Sequence, residues 1–319
     1  MASQLPSSVL IIGATGTIGK YITNAIVSAK PQIARQISIF TSSATASSPS
    51  KQAILSSWKS QGASVITGDI NNADDVRKAY SGIDTVVSCL GRNALLSQIE
   101  LLRLAEESKD VQWFFPSEYG TDIEYDASSK DEKPHQNKLK VRAFIRDNVK
   151  KVKVTYVVTG PYIDMFLTLA PAAEEAGGYD AKAKKAVVVG DGEGKVGFTS
   201  MPDVGKLVVA ALRHPEESFG KALKVQSFVT TPNAILEEFE KQTGAKWTVS
   251  HTPEQKLRQA EKESWDSGSP AATLYTLRRI WAEGGTLYDK TDNESLGLSP
   301  GDMEPLSAVV ERAVSGKGF

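Results

Sequence analysis

Cysteine is almost missing from these 319 residues, with Cys89 the only one, and histidine occurs three times, at 135, 214 and 251. A lone thiol excludes an internal disulfide and fits a reducing compartment. Its place in Asp84-Thr85-Val86-Val87-Ser88-Cys89-Leu90 predicts an inert, buried strand residue. Histidines so far apart, with no cysteine pair, lack metal-ligand spacing, so no metal is expected. No apolar run is long enough for a bilayer, and no basic region followed by a long apolar segment opens the chain. A cytoplasmic protein without a membrane partner is therefore expected, in which the sequon Asn293-Glu294-Ser295 has no consequence. An excess of one charge is also lacking: 37 basic and 38 acidic side chains leave a net −1. That balance argues against nucleic acid as a partner. There is no internal repeat and no G-x-S-x-G elbow.

What is present begins with Ser8-Val9-Leu10-Ile11-Ile12-Gly13-Ala14-Thr15-Gly16-Thr17-Ile18-Gly19-Lys20. The apolar run predicts a strand buried on both faces, as in a parallel sheet. Three glycines follow at intervals of three, and then a helical stretch to about Ala29. Gly13 permits a tight turn, Gly16 lets backbone approach a pyrophosphate, and Gly19 lets helix pack on strand. The helix N-terminus then faces the phosphates, with Thr15, Thr17 and Ile18 in the same loop. This is the pattern of a dinucleotide site.

A second strand, 36–40, ends in Phe40-Thr41-Ser42-Ser43, with no carboxylate to hold a ribose 2′-hydroxyl. Hydroxyls at Thr41, Ser42 and Ser43, with Lys51 nearby, suit a 2′-phosphate, so NADPH is expected rather than NADH. The Ser/Thr-rich stretch 41–50 reads as a surface loop. Strands at 63–67, 84–90 and 111–115 alternate with helices at 51–60, 72–80 and 94–107. Such alternation builds right-handed βαβ units and a doubly wound parallel sheet, an α/β fold. Ligands lie beyond the carboxyl ends of such strands. Those ends add Gly68 and Asp69, then Ser88, Leu90 and Gly91, then Pro116 and Ser117, to the candidate cofactor lining.

The polar segment 117–133 reads as an active-site loop, followed by a helix at about 134–148 and a strand at 152–159. Beyond it the alternation fades. Ser200-Met201-Pro202-Asp203 has capping-box spacing for a helix to about Arg213. Lys224 to Val229 reads as a return to the sheet, and Thr231-Pro232 starts a helix to about Thr243. The remainder reads as mostly helical, with Trp247, Trp265 and Trp281 for a second core. No tyrosine among 119, 125, 156 and 179 has a lysine four residues on, which argues against the ordinary Tyr-Lys device of short-chain dehydrogenases.

Gly13-Ala14-Thr15-Gly16-Thr17-Ile18-Gly19, Phe115-Pro116-Ser117-Glu118-Tyr119-Gly120 and Lys138-Leu139-Lys140-Val141-Arg142, in that order, resemble the isoflavone reductase family. That family includes phenylcoumaran benzylic ether and pinoresinol–lariciresinol reductases, within the NmrA-like atypical short-chain dehydrogenases of secondary metabolism. The likeness covers 8 to about 165, and more loosely 198–212. It implies a Rossmann domain over 1–160, with later returns near 195–230, and a smaller, mostly helical substrate domain over much of 161–319. It implies an NADP-dependent oxidoreductase that reduces a small aromatic or conjugated metabolite, acting as monomer or homodimer. Lys138 would be the acid/base, and Tyr162 would pack an aromatic ring against the nicotinamide. A buried lysine near a cofactor's positive ring has its pKa pulled down, which suits proton transfer. His135, three residues before Lys138, reads as a surface imidazole, and Glu118 as a residue that fixes its loop. The family's arginine after the second strand is replaced by Thr41. Other uses of the same fold are a non-catalytic NADP sensor and a non-redox isomerase or cyclase.

Overall fold

The structure, a computed structural model, describes residues 5–316; residues 1–4 and 317–319, the outer ends of the two expected segments, lie outside it. Strands β1 (Ser8–Ile12), β2 (Gln36–Thr41), β3 (Ser64–Thr67), β4 (Thr85–Ser88), β5 (Trp113–Phe115) and β6 (Lys153–Val154) form one parallel sheet in the order β3-β2-β1-β4-β5-β6. The central strand β1 is buried along its whole length. Its side chains alternate between faces as strand geometry dictates. Val9 and Ile11 join one core cluster, and Leu10 and Ile12 the other.

Helices fill both faces. On one, α1 (Gly19–Ser28) and α2 (Pro49–Ser60) supply Ile22, Ile26, Leu55 and Trp58. On the other, α3 (Ala73–Tyr80), α4 (Ser97–Glu107) and α5 (Gln136–Asn148) supply Val76, Tyr80, Leu101, Leu102, Val141 and Ile145. The start of α3 is fixed by Asn72, whose side chain accepts from the Asp74 and Asp75 amides, with both carboxylates in the first turn.

The first core is completed from far along the chain. Helix α6 (Met201–Arg213) lays Val204, Leu207, Val208 and Leu212 beside α1. The approach is close: a Cβ on Gly205 would stand 2.6 Å from the Tyr21 carbonyl oxygen and 2.8 Å from the Ala25 methyl. Ser200 caps α6 by accepting from the Asp203 amide at 3.2 Å. The expected reciprocal half of the capping box does not form. The Ser200 amide donates to Ser227 Oγ instead, while Asp203 accepts from the Ser227 hydroxyl and the Glu304 amide.

Further strands are β7 (Tyr156–Val158), β8 (Gly178–Asp180), β9 (Lys185–Val189), β10 (Val196–Phe198), β11 (Ala222–Lys224), β12 (Phe228–Thr230) and β13 (Thr248–Thr252). The strand expected over 152–159 is divided at Thr155. The Thr155 amide still donates to Phe114 in β5, but the next amide, of Tyr156, donates to Lys221. From there β7 pairs in parallel with β11. The Thr155 hydroxyl, shared between Trp113 Nε1 and the Ser218 carbonyl, marks the change of partner.

In the second half β13 and β8 flank β9, β10 pairs with β12, and α7 (Pro232–Thr243), α8 (Glu254–Asp266), α9 (Ala272–Ala282) and α10 (Leu306–Val314) surround them. Phe166, Tyr179, Phe198, Phe239, Trp247 and Trp281 build the core there. Trp265 does not join it. That ring is half-buried, with Nε1 on Thr276 Oγ1 and the Lys133 ammonium 4.7 Å from its centre. Among the described residues no helix is long and apolar enough to cross a membrane.

Candidate active site

Parallel pairing brings the carboxyl ends of β1 to β5 to one edge of the sheet. Ile12 is opposite Phe40 and Ser88, Thr41 opposite Thr67, and Val87 opposite Phe115. The loop leaving β1 is shaped by two of its glycines. Gly13 has a φ of +79°, and a Cβ there would meet the Cys89 carbonyl oxygen at 2.6 Å. A Cβ on Gly19 would lie 2.2 Å from the Gly13 carbonyl oxygen. Neither position admits a side chain. Gly16 and Thr17 are exposed at the loop's crest, Thr15 and Ile18 half-exposed. Helix α1 starts with no side-chain cap and no acidic residue in its first turn. Its amide ends therefore present positive potential on the open side of the loop.

The stretch after β2, expected as a loop, forms a short helix, Ser43–Ser47. Five residues are too few to show a helical apolar period in sequence. Ser42 spends its side chain as the cap, accepting from the Thr45 amide and donating to Thr45 Oγ1. Thr41 is half-exposed and Ser43 exposed. Lys51 extends from α2 back to the glycine loop, its ammonium 3.2 Å from the Thr15 carbonyl oxygen. Asp69 is exposed and held in an Asx turn by Asn71. Ser88 is fully buried, and its Oγ has no partner. Leu90 accepts from the Ser117 hydroxyl at 2.8 Å, beside buried Pro116, while Gly91 is exposed. An uncapped helix start, two side-chain-free glycines, a cation over the loop and no carboxylate at the β2 end together fit the diphosphate and 2′-phosphate of NADPH.

At the end of β5 the chain turns into the 117–133 segment, and α5 presents two different lysines to it. Lys140 is exposed. Lys138 is half-buried, and its ammonium donates to the Glu118 carbonyl at 2.7 Å. Burial lowers the Lys138 pKa, the Arg92 and Arg142 guanidiniums add to that, and the Glu118 carboxylate opposes it. Glu118 is itself buried and bound through both oxygens to Arg142 Nε and Nη2, each at 3.2 Å. Burial works against the Arg142 charge, but Glu118 and Glu124 outweigh it and raise its pKa. The ion pair fixes the loop and so aims the Glu118 carbonyl at Lys138.

Tyr162 precedes the short helix Ile163–Phe166, and its hydroxyl donates to the Tyr119 carbonyl at 2.6 Å. Burial raises the pKa of both phenols and of the Cys89 thiol. His135 is not on the surface. It is 3% exposed, Nδ1 faces the Ser129 carbonyl at 3.2 Å, and Nε2 has no partner. It lies in the turn before α5, where Ser129 and Tyr125 of the 117–133 segment fold over it. Burial lowers its pKa, and the neighbouring Lys138 charge contributes.

One supporting residue went unnoticed in the sequence. Gln98, buried on the apolar side of α4, accepts from the Ser117 amide at 2.7 Å and pins the Pro-Ser turn. A glutamine at helical spacing between Leu95 and Leu101 was the available signal. Tyr119, the tyrosine of the Pro-Ser-Glu-Tyr-Gly turn, is buried beside Tyr162 and Cys89. Among the described residues no group of three or more His, Cys, Asp or Glu side chains could hold a metal ion.

The sequence model of the NmrA-like family matches residues 6–274. The chain is 30% identical over 261 residues to a phenylcoumaran benzylic ether reductase of Pyrus communis, covering 81% of this chain and 80% of that protein. Among solved structures it is similar to an isoflavone reductase, with a TM-score of 0.80 at 24% identity over 96% of this chain and 99% of that one. A leucoanthocyanidin reductase–NADPH complex from Vitis vinifera also has a TM-score of 0.80, at 22% identity over 97% of this chain and all (100%) of that one. At these identities the two structures show the shared fold.

Proposed function

The chain belongs to the NmrA-like family, and from that premise we propose an NADPH-dependent reductase of a small aromatic or conjugated metabolite, with Lys138 as its general acid. The oxidoreductase class accords with relatives named as reductases. The observation that carries the role of Lys138 is its ammonium, half-buried at the carboxyl edge of the sheet on a single backbone carbonyl. A group so placed gives up its proton more readily than an exposed ammonium, because burial has weakened its hold.

Gly13, Thr15, Gly16, Thr17, Ile18 and Gly19 would hold the diphosphate, and Thr41, Ser43 and Lys51 the 2′-phosphate. Asp69, Ser88, Leu90, Gly91, Pro116 and Ser117 would border the rest, with the Tyr162 ring against the nicotinamide. NADPH supplies the hydride when bound. Lys138 Nζ gives its proton to the substrate oxygen that gains charge, while Arg142 and Glu118 keep the Lys138 acceptor in place. Residues 1–160, with the returns at 195–230, would serve the cofactor, and 161–319 largely the substrate.

A panel of aromatic ketones and enones, followed by loss of reduced-nicotinamide absorbance, tests this reading. Lys138→Ala should lower turnover by at least about 100-fold, the usual worth of a positioned acid, with NADPH affinity retained. Tight NADPH binding without turnover of any substrate would instead indicate a sensor.

A further inference from the structure

Away from that edge, the second half of the chain keeps a positive charge with nothing negative against it among the described residues. Arg278, on α9, is 4% exposed. Its guanidinium lies 3.7 Å from the centre of the Phe166 ring and 5.5 Å from that of Trp281. Nη2 donates to the Phe166 carbonyl at 3.0 Å, while Nε and Nη1 are buried without partners. Burial pushes its pKa down to about 9, so it remains a cation at neutral pH. A guanidinium with two idle nitrogens out of water is unfavourable until an anion meets it.

Space for one is present. Arg278 forms part of the wall of a cavity with Phe166, Tyr179, Val188, Val196 and Trp281. The cavity has a volume of about 70 Å³. A single water needs roughly 10–15 Å³, so a small organic group fits. The carboxylates bordering it, Asp191 and Glu254, are both exposed, at the solvent side rather than on Arg278. None of the proposed cofactor or catalytic residues lines it.

We propose that this cavity binds a small aromatic carboxylate, its oxygens on Arg278 Nε and Nη1 and its ring among Phe166, Tyr179 and Trp281. A planar guanidinium fork suits a carboxylate, and it already stacks on an aromatic face as such a ligand would require. Helix α9 also joins this cavity to the loop before Lys138. Trp281 Nε1 donates to Thr121 Oγ1 at 2.8 Å, and Arg279 pairs with Glu132. An occupant therefore sits one helix away from the segment that carries Glu118.

The test is calorimetric titration of the full chain with benzoate, and with benzamide as its neutral counterpart, in the absence of NADPH. Benzoate should bind at least about 10-fold more tightly, the worth of one charge-assisted pair. Arg278→Met should abolish that preference while the melting temperature holds or rises, because an unpaired buried charge is gone. Arg278→Lys, which keeps the charge but loses the fork, should weaken benzoate several-fold and serves if the methionine variant does not fold. Equal affinities for the two probes, a benzoate preference that survives Arg278→Met, or benzoate affinity undiminished by Arg278→Lys, would overturn the proposal. NADPH binding measured on the same variants should be unchanged, which separates this site from the reductase reading.

Discussion

The two halves of the molecule place a buried guanidinium in opposite circumstances. In the parallel-sheet half, Arg142 is 8% exposed and is clasped by Glu118, with Glu124 on its remaining nitrogen. In the other half, Arg278 is equally hidden and touches one backbone carbonyl and two rings. The first cation is complete within the chain and acts by positioning what lies next to it. The second has unspent donors, and its electrostatic balance depends on something the chain does not supply. Partnership, more than burial, separates a structural charge from a receptive one.

The sharpest way to break this contrast is to make Arg142 resemble Arg278. Glu118→Ala leaves the Arg142 guanidinium with the exposed Glu124 as its one carboxylate and the Tyr156 ring at 4.7 Å, and chemical denaturation should register a loss of roughly 3 kcal/mol. A loss below about 1 kcal/mol would mean that the pair is not what holds the loop. Next in size is the pH response of Lys138, which stands between the two arginines in having one neutral partner. Its folded pKa is below the ordinary 10.5, so the native state sheds its proton before the unfolded chain does. Stability from this group therefore rises with pH between the folded and unfolded values. Turnover that needs the protonated form should fall as pH climbs through the lowered value, and a profile flat to pH 10.5 would refute the shift. The smallest effect belongs to Lys51, whose single carbonyl contact leaves most of its donors free. Lys51→Met should weaken NADPH by about 10-fold, as expected of one charged contact, and leave NADH nearly unaffected in equilibrium titrations.

The sheet was legible in the sequence because a doubly buried strand needs an apolar run, and glycines mark where backbones crowd. Gly13 and Gly19 have the severest crowding, whereas Gly16 is exposed and a Cβ there would stand 3.3 Å from the Gly13 carbonyl oxygen. Periodicity failed where a decision belonged to distant parts of the chain. The spacing of His135 and Lys138 says that they share a side of the expected helix, but not that residues 117–133 cover it. Nor did periodicity show the five-residue helix that Ser42, expected as a phosphate ligand, caps with its hydroxyl. Trp265 had the chemistry of a core residue but faces a lysine at the boundary with solvent. Arg278 is the extreme case, since the ring and the carbonyl that hold it both belong to Phe166, 112 positions earlier.

The close seating of Gly205 against Tyr21 and Ala25 has a bearing on biosynthesis. A ribosome that has released only the first 160 residues has delivered all six strands of the large sheet, yet α1 still lacks its cover. Val204, Leu207 and Val208 emerge later, so the first core and the Tyr21–Ala25 side of α1 stay open to water until roughly two thirds of the polypeptide has been made. A shortened version ending before Met201 would carry the glycine loop and still be prone to clump.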